Sequence, residues 1–132
     1  MPYADAGSVF WEIDRSQPGV ETWLFNWKAD AAGVASKRME VVMSGVLERG
    51  GSNVTDAGTA GTHAAYLYDE LGVDMFRGLC ASLAGSAYAA LSFYEAPEAD
   101  IALPVLLTGR HTFRVTGADA SDFGTLKLVL RT

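Results

Sequence analysis

Residues 20–28 are Val-Glu-Thr-Trp-Leu-Phe-Asn-Trp-Lys, and aromatic side chains stand at every second position: Trp23, Phe25 and Trp27. An alternation with a period of two places these three side chains on one face of an extended chain. The stretch therefore predicts a β-strand with a continuous aromatic face.

The residues before this strand predict its partner. Residues 8–14 contain Val9, Phe10, Trp11 and Ile13 and form a second apolar stretch of strand length. The two stretches are separated by residues 15–19, which end in Pro-Gly, a pair that favours a turn because Pro presets φ and Gly accepts a positive φ. We predict an antiparallel hairpin.

Two more alternating segments lie near the C-terminus. Residues 110–116 place His111, Phe113 and Val115 on one side, and residues 124–131 do the same with leucines at 126, 128 and 130. Because only residues 117–123 separate them, we predict that they form a second antiparallel hairpin.

The middle of the chain has weaker patterns. Residues 37–49 predict one extended segment with Met39, Val41 and Met43 on one face, and residues 50–62, rich in Gly, Ser and Thr, predict a loop without strand structure. Residues 65–69 predict a short strand with Tyr66 and Tyr68 on one side.

Two apolar stretches complete the pattern. Residues 81–95 do not decide between helix and strand, and residues 101–107 predict a strand that Pro104 confines to an edge or a bulge. Seven to nine short strands predict an all-β fold, an antiparallel β-sandwich or jelly roll with at most one short helix. We expect a single β-sandwich domain over residues 1–132.

Composition limits the classes of function. The chain has 132 residues, 16 acidic and 10 basic, and a net charge of −6 that is divided evenly between its halves. Nucleic-acid binding requires clustered basic residues, so we expect no direct contact with nucleic acid. The start lacks the basic and apolar regions of a secretory signal, and no segment is long enough for a membrane span. We expect synthesis in a cytoplasm and no membrane contact, and the apolar fraction of 49% favours a homo-oligomer.

Residues with catalytic or ligand chemistry are few. His63 and His111 are far apart in sequence and lack zinc-ligand spacing, and Cys80 lies among apolar neighbours. The acidic residues at 69, 70, 74, 119 and 122 do not match a calcium loop and are typical of turn formation. We predict no catalytic, cofactor or metal residues and a protein that is not an enzyme, although distant residues could converge in the fold.

The aromatic residues have two interpretations. If exposed, they contact another protein or stack on a glycan, because aromatic side chains concentrate binding energy. If buried, they form half of the sandwich core, which is the usual outcome for an alternating strand. Glu21 is the better candidate companion for a bound sugar, because it lies on the same side as Trp23. The candidate interface or glycan contacts are Phe10, Trp11, Trp23, Phe25 and Trp27.

The second half of the chain resembles a known family. In residues 65–79 a strand leads into Asp69-x-x-Gly72-x-Asp74 and then into an apolar segment that contains Gly78. The end of the chain continues the similarity with an apolar strand containing Pro, a Gly turn, a strand followed by Gly-Ala, and a Gly-Thr final strand. This succession resembles small β-sandwich virion structural proteins of tailed bacteriophages, of the decoration, neck or tail type.

The resemblance implies a non-enzymatic structural component of a tailed-phage particle. We expect first that the chain is a capsid decoration protein located in the virion. Its expected partners are other virion proteins such as the major capsid protein. The alternatives are a neck or tail component, a carbohydrate-binding β-sandwich module that uses the tryptophans, and, last, an enzyme.

Overall fold

The protein is a sandwich of two antiparallel β-sheets. A computed structural model describes residues 6–54, 62–78, 80, 83–84, 89–92, 105–119 and 122–132. These residues form ten strands and no helix, and the sheets pack face to face. The predicted all-β sandwich is confirmed.

The larger sheet has six strands. They are β1 (Val9–Asp14), β2 (Val20–Lys28), β4 (Met43–Val54), β7 (Ala89–Ser92), β8 (Val105–Gly109) and β10 (Phe123–Arg131). Their order is β1-β2-β10-β4-β7, and β8 also pairs with β4. Strands β2 and β10 are therefore central, with hydrogen-bonded neighbours on both sides.

The smaller sheet has four strands. They are β3 (Ala35–Arg38), β5 (Thr62–Tyr68), β6 (Leu83–Ala84) and β9 (Thr112–Thr116). Their order is β3-β9-β5-β6, so β9 and β5 form the centre of this sheet.

The core lies between the sheets and is built on the aromatic face of β2. Trp23, Phe25 and Trp27 are at most 1% exposed. The ring of Phe25 stacks on Phe113 of the smaller sheet, with 4.5 Å between the ring centroids. The aromatic alternation thus supplies the contact that holds the two sheets together.

The predicted N-terminal hairpin is confirmed. Strands β1 and β2 are antiparallel neighbours with a continuous register from Val9 opposite Trp27 to Asp14 opposite Thr22. The turn between them contains Gly19 with a positive φ of 76°, as the Pro-Gly pair predicts.

The predicted C-terminal hairpin is wrong. Strand β9 lies in the smaller sheet between β3 and β5, whereas β10 lies in the larger sheet between β2 and β4. The connection between them crosses from sheet to sheet. One part of it is held by the Ala118 N–H, which donates to the Gly33 carbonyl oxygen, and another by the Ala29 N–H, which donates to the Asp122 carbonyl oxygen. Both strands have one buried face, but these faces belong to opposite walls of the core.

The single extended segment predicted at residues 37–49 is also wrong. The chain leaves the smaller sheet after Arg38 and enters the larger one at Met43. Met39 and Met43 are both buried, on either side of this crossing, and Val41 is half-buried. The three apolar residues face the core at a crossing between two sheets, and their alternation in sequence resembles one face of a single strand.

The loop predicted at residues 50–62 is wrong for its first part. Residues 50–54 continue β4, because their backbone pairs with β10 on one side and, at 50–52, with β7 on the other. Backbone hydrogen bonds to both neighbours hold this glycine-rich segment in the sheet. Residues 55–61 lie outside the described residues.

The other segments agree with their patterns where they are described. Strand β5 contains residues 65–68 of the stretch predicted at 65–69, and the rings of Tyr66 and Tyr68 stack on one side of it at 5.5 Å. The described strand residues within 81–95 belong to β6 and β7. Strand β8 pairs only with β4 and follows Pro104, which itself lies outside the described residues.

Candidate functional site

Three of the five candidate contact residues are unavailable for binding. Trp23, Phe25 and Trp27 lie in the core between the sheets. The interpretation of these three as interface or glycan contacts is therefore corrected: their alternation marks the buried face of a strand.

Glu21, which the sequence suggested as a sugar-binding residue beside Trp23, is also part of the core. Its carboxylate accepts a hydrogen bond of 2.5 Å from Trp23 Nε1 and an ion pair of 2.8 Å from Arg15 Nε. The indole N–H thus has the acceptor that a buried tryptophan needs, and the carboxylate has a cation beside it. Its role is to complete the buried face of β2.

Phe10 and Trp11 differ from each other because they point to opposite faces of β1. The ring of Trp11 stacks on Trp23 at 5.6 Å and is half-buried. Phe10 is 51% exposed on the outer face of the larger sheet. Of the candidate aromatic contacts, Phe10 is the one that the described structure leaves accessible to a partner.

Both histidines are buried against aromatic or backbone groups. Neither ring nitrogen of His63 has a hydrogen-bond partner among the described residues, and the ring lies 5.2 Å from that of Trp27. Burial lowers the pKa of His63 and outweighs the opposite effect of Asp122. His63 is therefore a neutral core residue at neutral pH.

His111 is held differently but is also neutral. Its Nδ1 donates to the Gly109 carbonyl oxygen at 3.1 Å, and its Nε2 has no partner in the described part of the chain. Burial lowers the pKa of His111, while the Gly109 hydrogen bond and the charges of Asp69 and Glu70 oppose this shift. Its burial on the same side as Phe113 and Val115 agrees with the predicted alternation.

Cys80 is fully buried, as its apolar neighbours predict. Burial raises the pKa of the Cys80 thiol to about 12, and the charge of Asp74 adds to the shift. The thiol therefore remains protonated at neutral pH. Among the described residues, no three His, Cys, Asp or Glu side chains come together as a metal site requires.

A rigid turn at residues 69–74 presents aliphatic side chains to solvent. Asp69 Oδ1 accepts hydrogen bonds from the backbone N–H groups of Leu71 and Val73, each at 2.9 Å. Gly72 has a φ of +83°, which only glycine adopts without strain. Leu71, at the tip, is 89% exposed, and Val73 is 55% exposed. Asp69 and Gly72 of the quoted motif thus build the turn.

The connection between β8 and β9 contacts this turn, and it is itself joined to the connection between β3 and β4. The backbone N–H of Arg110 donates to Glu70 Oε1 at 3.1 Å. The side-chain Nε of Arg110 donates to the Glu40 carbonyl oxygen at 3.0 Å. Val42, two residues after Glu40, is 48% exposed. We call the three exposed aliphatic residues on these connections, Val42, Leu71 and Val73, the end patch.

A groove lies on the outer face of the larger sheet, on the side away from the core. It encloses about 360 Å³ between the β1–β2 turn and strands β2, β4 and β10. Its lining residues come from four separate parts of the chain, which is why no local motif indicated it. They are Asp14, Ser16, Gln17, Val20, Thr22, Leu24, Arg49, Lys127 and Val129.

The register explains how these residues meet. Thr22 pairs with Asp14 on one side and with Val129 on the other, and Val129 pairs with Arg49. Directly paired residues of an antiparallel sheet lie on the same face. Leu24 pairs with Lys127 in the next row of that face.

No family model, curated protein or solved structure matches this chain. Within the part of the chain that the structure describes, there is no helix with the length and apolar character needed to cross a membrane. Functional inference therefore rests on the geometry of the end patch and of the groove.

Proposed function

We propose that the protein is a non-enzymatic structural subunit of a tailed-phage particle, of the capsid decoration type, and that the end patch docks it on the capsid lattice. The observation that carries the proposal is Leu71, 89% exposed on a turn whose backbone is held by Asp69. An apolar side chain on an ordered turn is preorganised for binding, because it loses little conformational entropy when a partner covers it.

The composition of the end patch supports protein docking. The connections that carry its aliphatic residues also carry the charged residues Glu40, Glu70 and Arg110, and the side chains of Glu70 and Arg110 are hydrogen-bonded in place. An apolar centre with a polar rim is the usual anatomy of a protein interface.

The small size of the end patch suits a lattice. A few aliphatic side chains give weak binding to a single site. In a symmetric particle, however, an oligomer engages several equivalent sites at once and gains avidity without new contacts. The expected partners are the major capsid protein and further copies of this chain.

The first experiment asks where the protein is found. Particles of the phage that carries this gene are banded on a caesium chloride gradient, and the protein is quantified beside the major capsid protein. We expect it in the capsid band at a copy number proportional to that of the capsid protein. Its presence only with separated tails would favour the neck or tail alternative, and its absence from all particles would contradict the proposal.

A second experiment tests the end patch. Purified protein is added to particles assembled without it, and bound protein is measured by co-sedimentation. We expect Leu71→Asp to bind at least tenfold more weakly than the natural sequence. Leu106→Asp is the matched control, because Leu106 is 61% exposed on β8 but lies outside the end patch. Equal binding by the two variants would remove the end patch from the proposal.

A further inference from the structure

The groove on the outer face holds two cations that have no partner among the described residues. Arg49 and Lys127 line it together, and neither forms a hydrogen bond or ion pair with another residue of the described structure. Arg131, on the same face, differs because Glu48 lies 3.5 Å from it. Two adjacent unpaired cations are available to bind an anion from outside.

The charge of this face contrasts with that of the whole protein. The outward positions of the larger sheet that are described carry four basic and three acidic residues, a net charge of +1, whereas the chain as a whole carries −6. They are Lys28, Arg49, Lys127, Arg131, Glu12, Asp14 and Glu48. Among the described residues, this face is therefore more favourable to an anionic ligand than the net charge of the chain implies.

The opposite side of the groove offers a different chemistry. Asp14 Oδ1 accepts the backbone N–H of Ser16 at 2.8 Å, which holds the carboxylate beside the turn. Hydrogen bonds from the Ser16 side chain and backbone lower the pKa of Asp14, so it is ionised at neutral pH and accepts hydrogen bonds. Gln17 and Thr22 add an amide and a hydroxyl. These groups recognise ligand hydroxyls.

The floor excludes recognition by strand addition. It consists of Thr22, Leu24 and Val129 on β2 and β10, both of which have hydrogen-bonded neighbours on each side. A bound peptide therefore finds no free strand edge for its backbone groups. The row from Asp14 to Arg49 spans three inter-strand spacings, about 14 Å, which leaves room for a monosaccharide between the two side chains.

We infer that the groove is a binding site for a carboxylate-bearing saccharide. Arg49 and Lys127 bind the carboxylate, Asp14 and Gln17 hydrogen-bond the hydroxyls, and Leu24 and Val129 contact the apolar face of the ring. This inference goes beyond capsid docking and does not depend on it, because the end patch and the groove share no residue.

The test is a titration of ¹⁵N-labelled protein, followed by amide chemical shifts, with glucuronate, glucose and acetate as separate probes. We expect glucuronate to shift the amides of Thr22, Leu24 and Val129. We expect glucose and acetate to bind at least tenfold more weakly, because each lacks half of the recognised groups. No shifts with glucuronate, equal binding of glucose, or equal binding of acetate would each overturn the inference.

Variants locate the site. Arg49→Gln and Lys127→Gln are each expected to weaken glucuronate binding at least fivefold. Lys28→Gln is the matched control, because Lys28 lies on the outer face of the same sheet but does not line the groove. An equal loss in the control would show that net charge rather than the groove attracts the ligand, and would overturn the assignment.

Discussion

Strand β2 presents different chemistry on its two faces. Trp23, Phe25 and Trp27 point into the core and are almost fully buried, whereas Thr22 and Leu24 point outward and form part of the floor of the groove. One alternating sequence therefore supplies both the packing that joins the sheets and the surface beside two unpaired cations. Substitutions on the inner face should therefore change the stability of the fold, and substitutions on the outer face should change ligand binding in the groove.

The largest effect is expected from the inner face. Trp23→Ala should lower the free energy of unfolding by about 3–5 kcal/mol, because it removes a fully buried ring and leaves a cavity. It also removes the indole donor to Glu21. Thr22→Ala, one residue away on the outer face, should cost less than about 1 kcal/mol. Urea unfolding of both variants measures the contrast, and similar losses would contradict the division of faces.

A second prediction concerns acid. His63 and His111 are buried, and burial lowers the pKa of each in the folded protein. As pH falls below about 6.5, the unfolded chain takes up protons that the folded histidines do not, so stability decreases. The slope is at most about 1.4 kcal/mol per pH unit for each histidine. Urea unfolding at pH 7.5 and pH 5.5 measures this change.

His63→Leu is the matched variant for the acid prediction. It removes two buried ring nitrogens that no described residue partners, and it keeps an apolar side chain against Trp27. We expect a gain of about 1 kcal/mol at pH 7.5, because an unsatisfied buried polar group is lost. The gain should be larger at pH 5.5. A gain that does not depend on pH would show that His63 does not contribute to the acid sensitivity.

The turn of the end patch should have a smaller effect on stability. Asp69→Ala removes the acceptor for the N–H groups of Leu71 and Val73 and should cost about 1 kcal/mol. Because the turn then no longer fixes Leu71, binding to particles should also weaken. Co-sedimentation of Asp69→Ala beside Asp69→Asn, which keeps an acceptor oxygen, measures the role of the turn. Equal weakening in both variants would favour a role of the negative charge.

The smallest effect on stability is expected at the groove. Arg49→Gln and Lys127→Gln should each change the free energy of unfolding by less than about 0.5 kcal/mol, because the two side chains are exposed and have no partner among the described residues. Thermal unfolding measures this directly. A loss of more than about 1 kcal/mol in the free energy of unfolding would indicate that these cations stabilise the fold rather than serve ligand binding.

The sequence predicted the strands better than their pairing. Alternation identified the buried faces of β2, β9 and β10, and the short Pro-Gly turn correctly joined β1 to β2. The same reasoning failed at the C-terminus, because alternation shows that a strand has a buried face but not which wall of the core it belongs to. Residues 117–123 are long enough to cross between sheets, and the hydrogen bonds that fix this crossing involve Ala29 and Gly33, far away in sequence.

The candidate sites were predicted less well for the same reason. The tryptophans attracted attention because aromatic residues are common in binding sites, yet they fill the core. The quoted Asp69-x-x-Gly72-x-Asp74 motif did indicate the turn of the end patch. The groove had no local signal, since Asp14, Arg49 and Lys127 meet only through the pairing of β1, β2, β10 and β4.

If the proposed docking is correct, the inner face of β2 stabilises the protein, and the end patch, which folding does not require, binds the particle. The most direct test measures particle binding and unfolding free energy for Leu71→Asp in parallel. We expect the free energy of unfolding of Leu71→Asp to lie within about 0.5 kcal/mol of that of the natural sequence, and particle binding to weaken at least tenfold. Binding equal to that of the natural sequence, or a loss of binding accompanied by unfolding, would contradict this expectation.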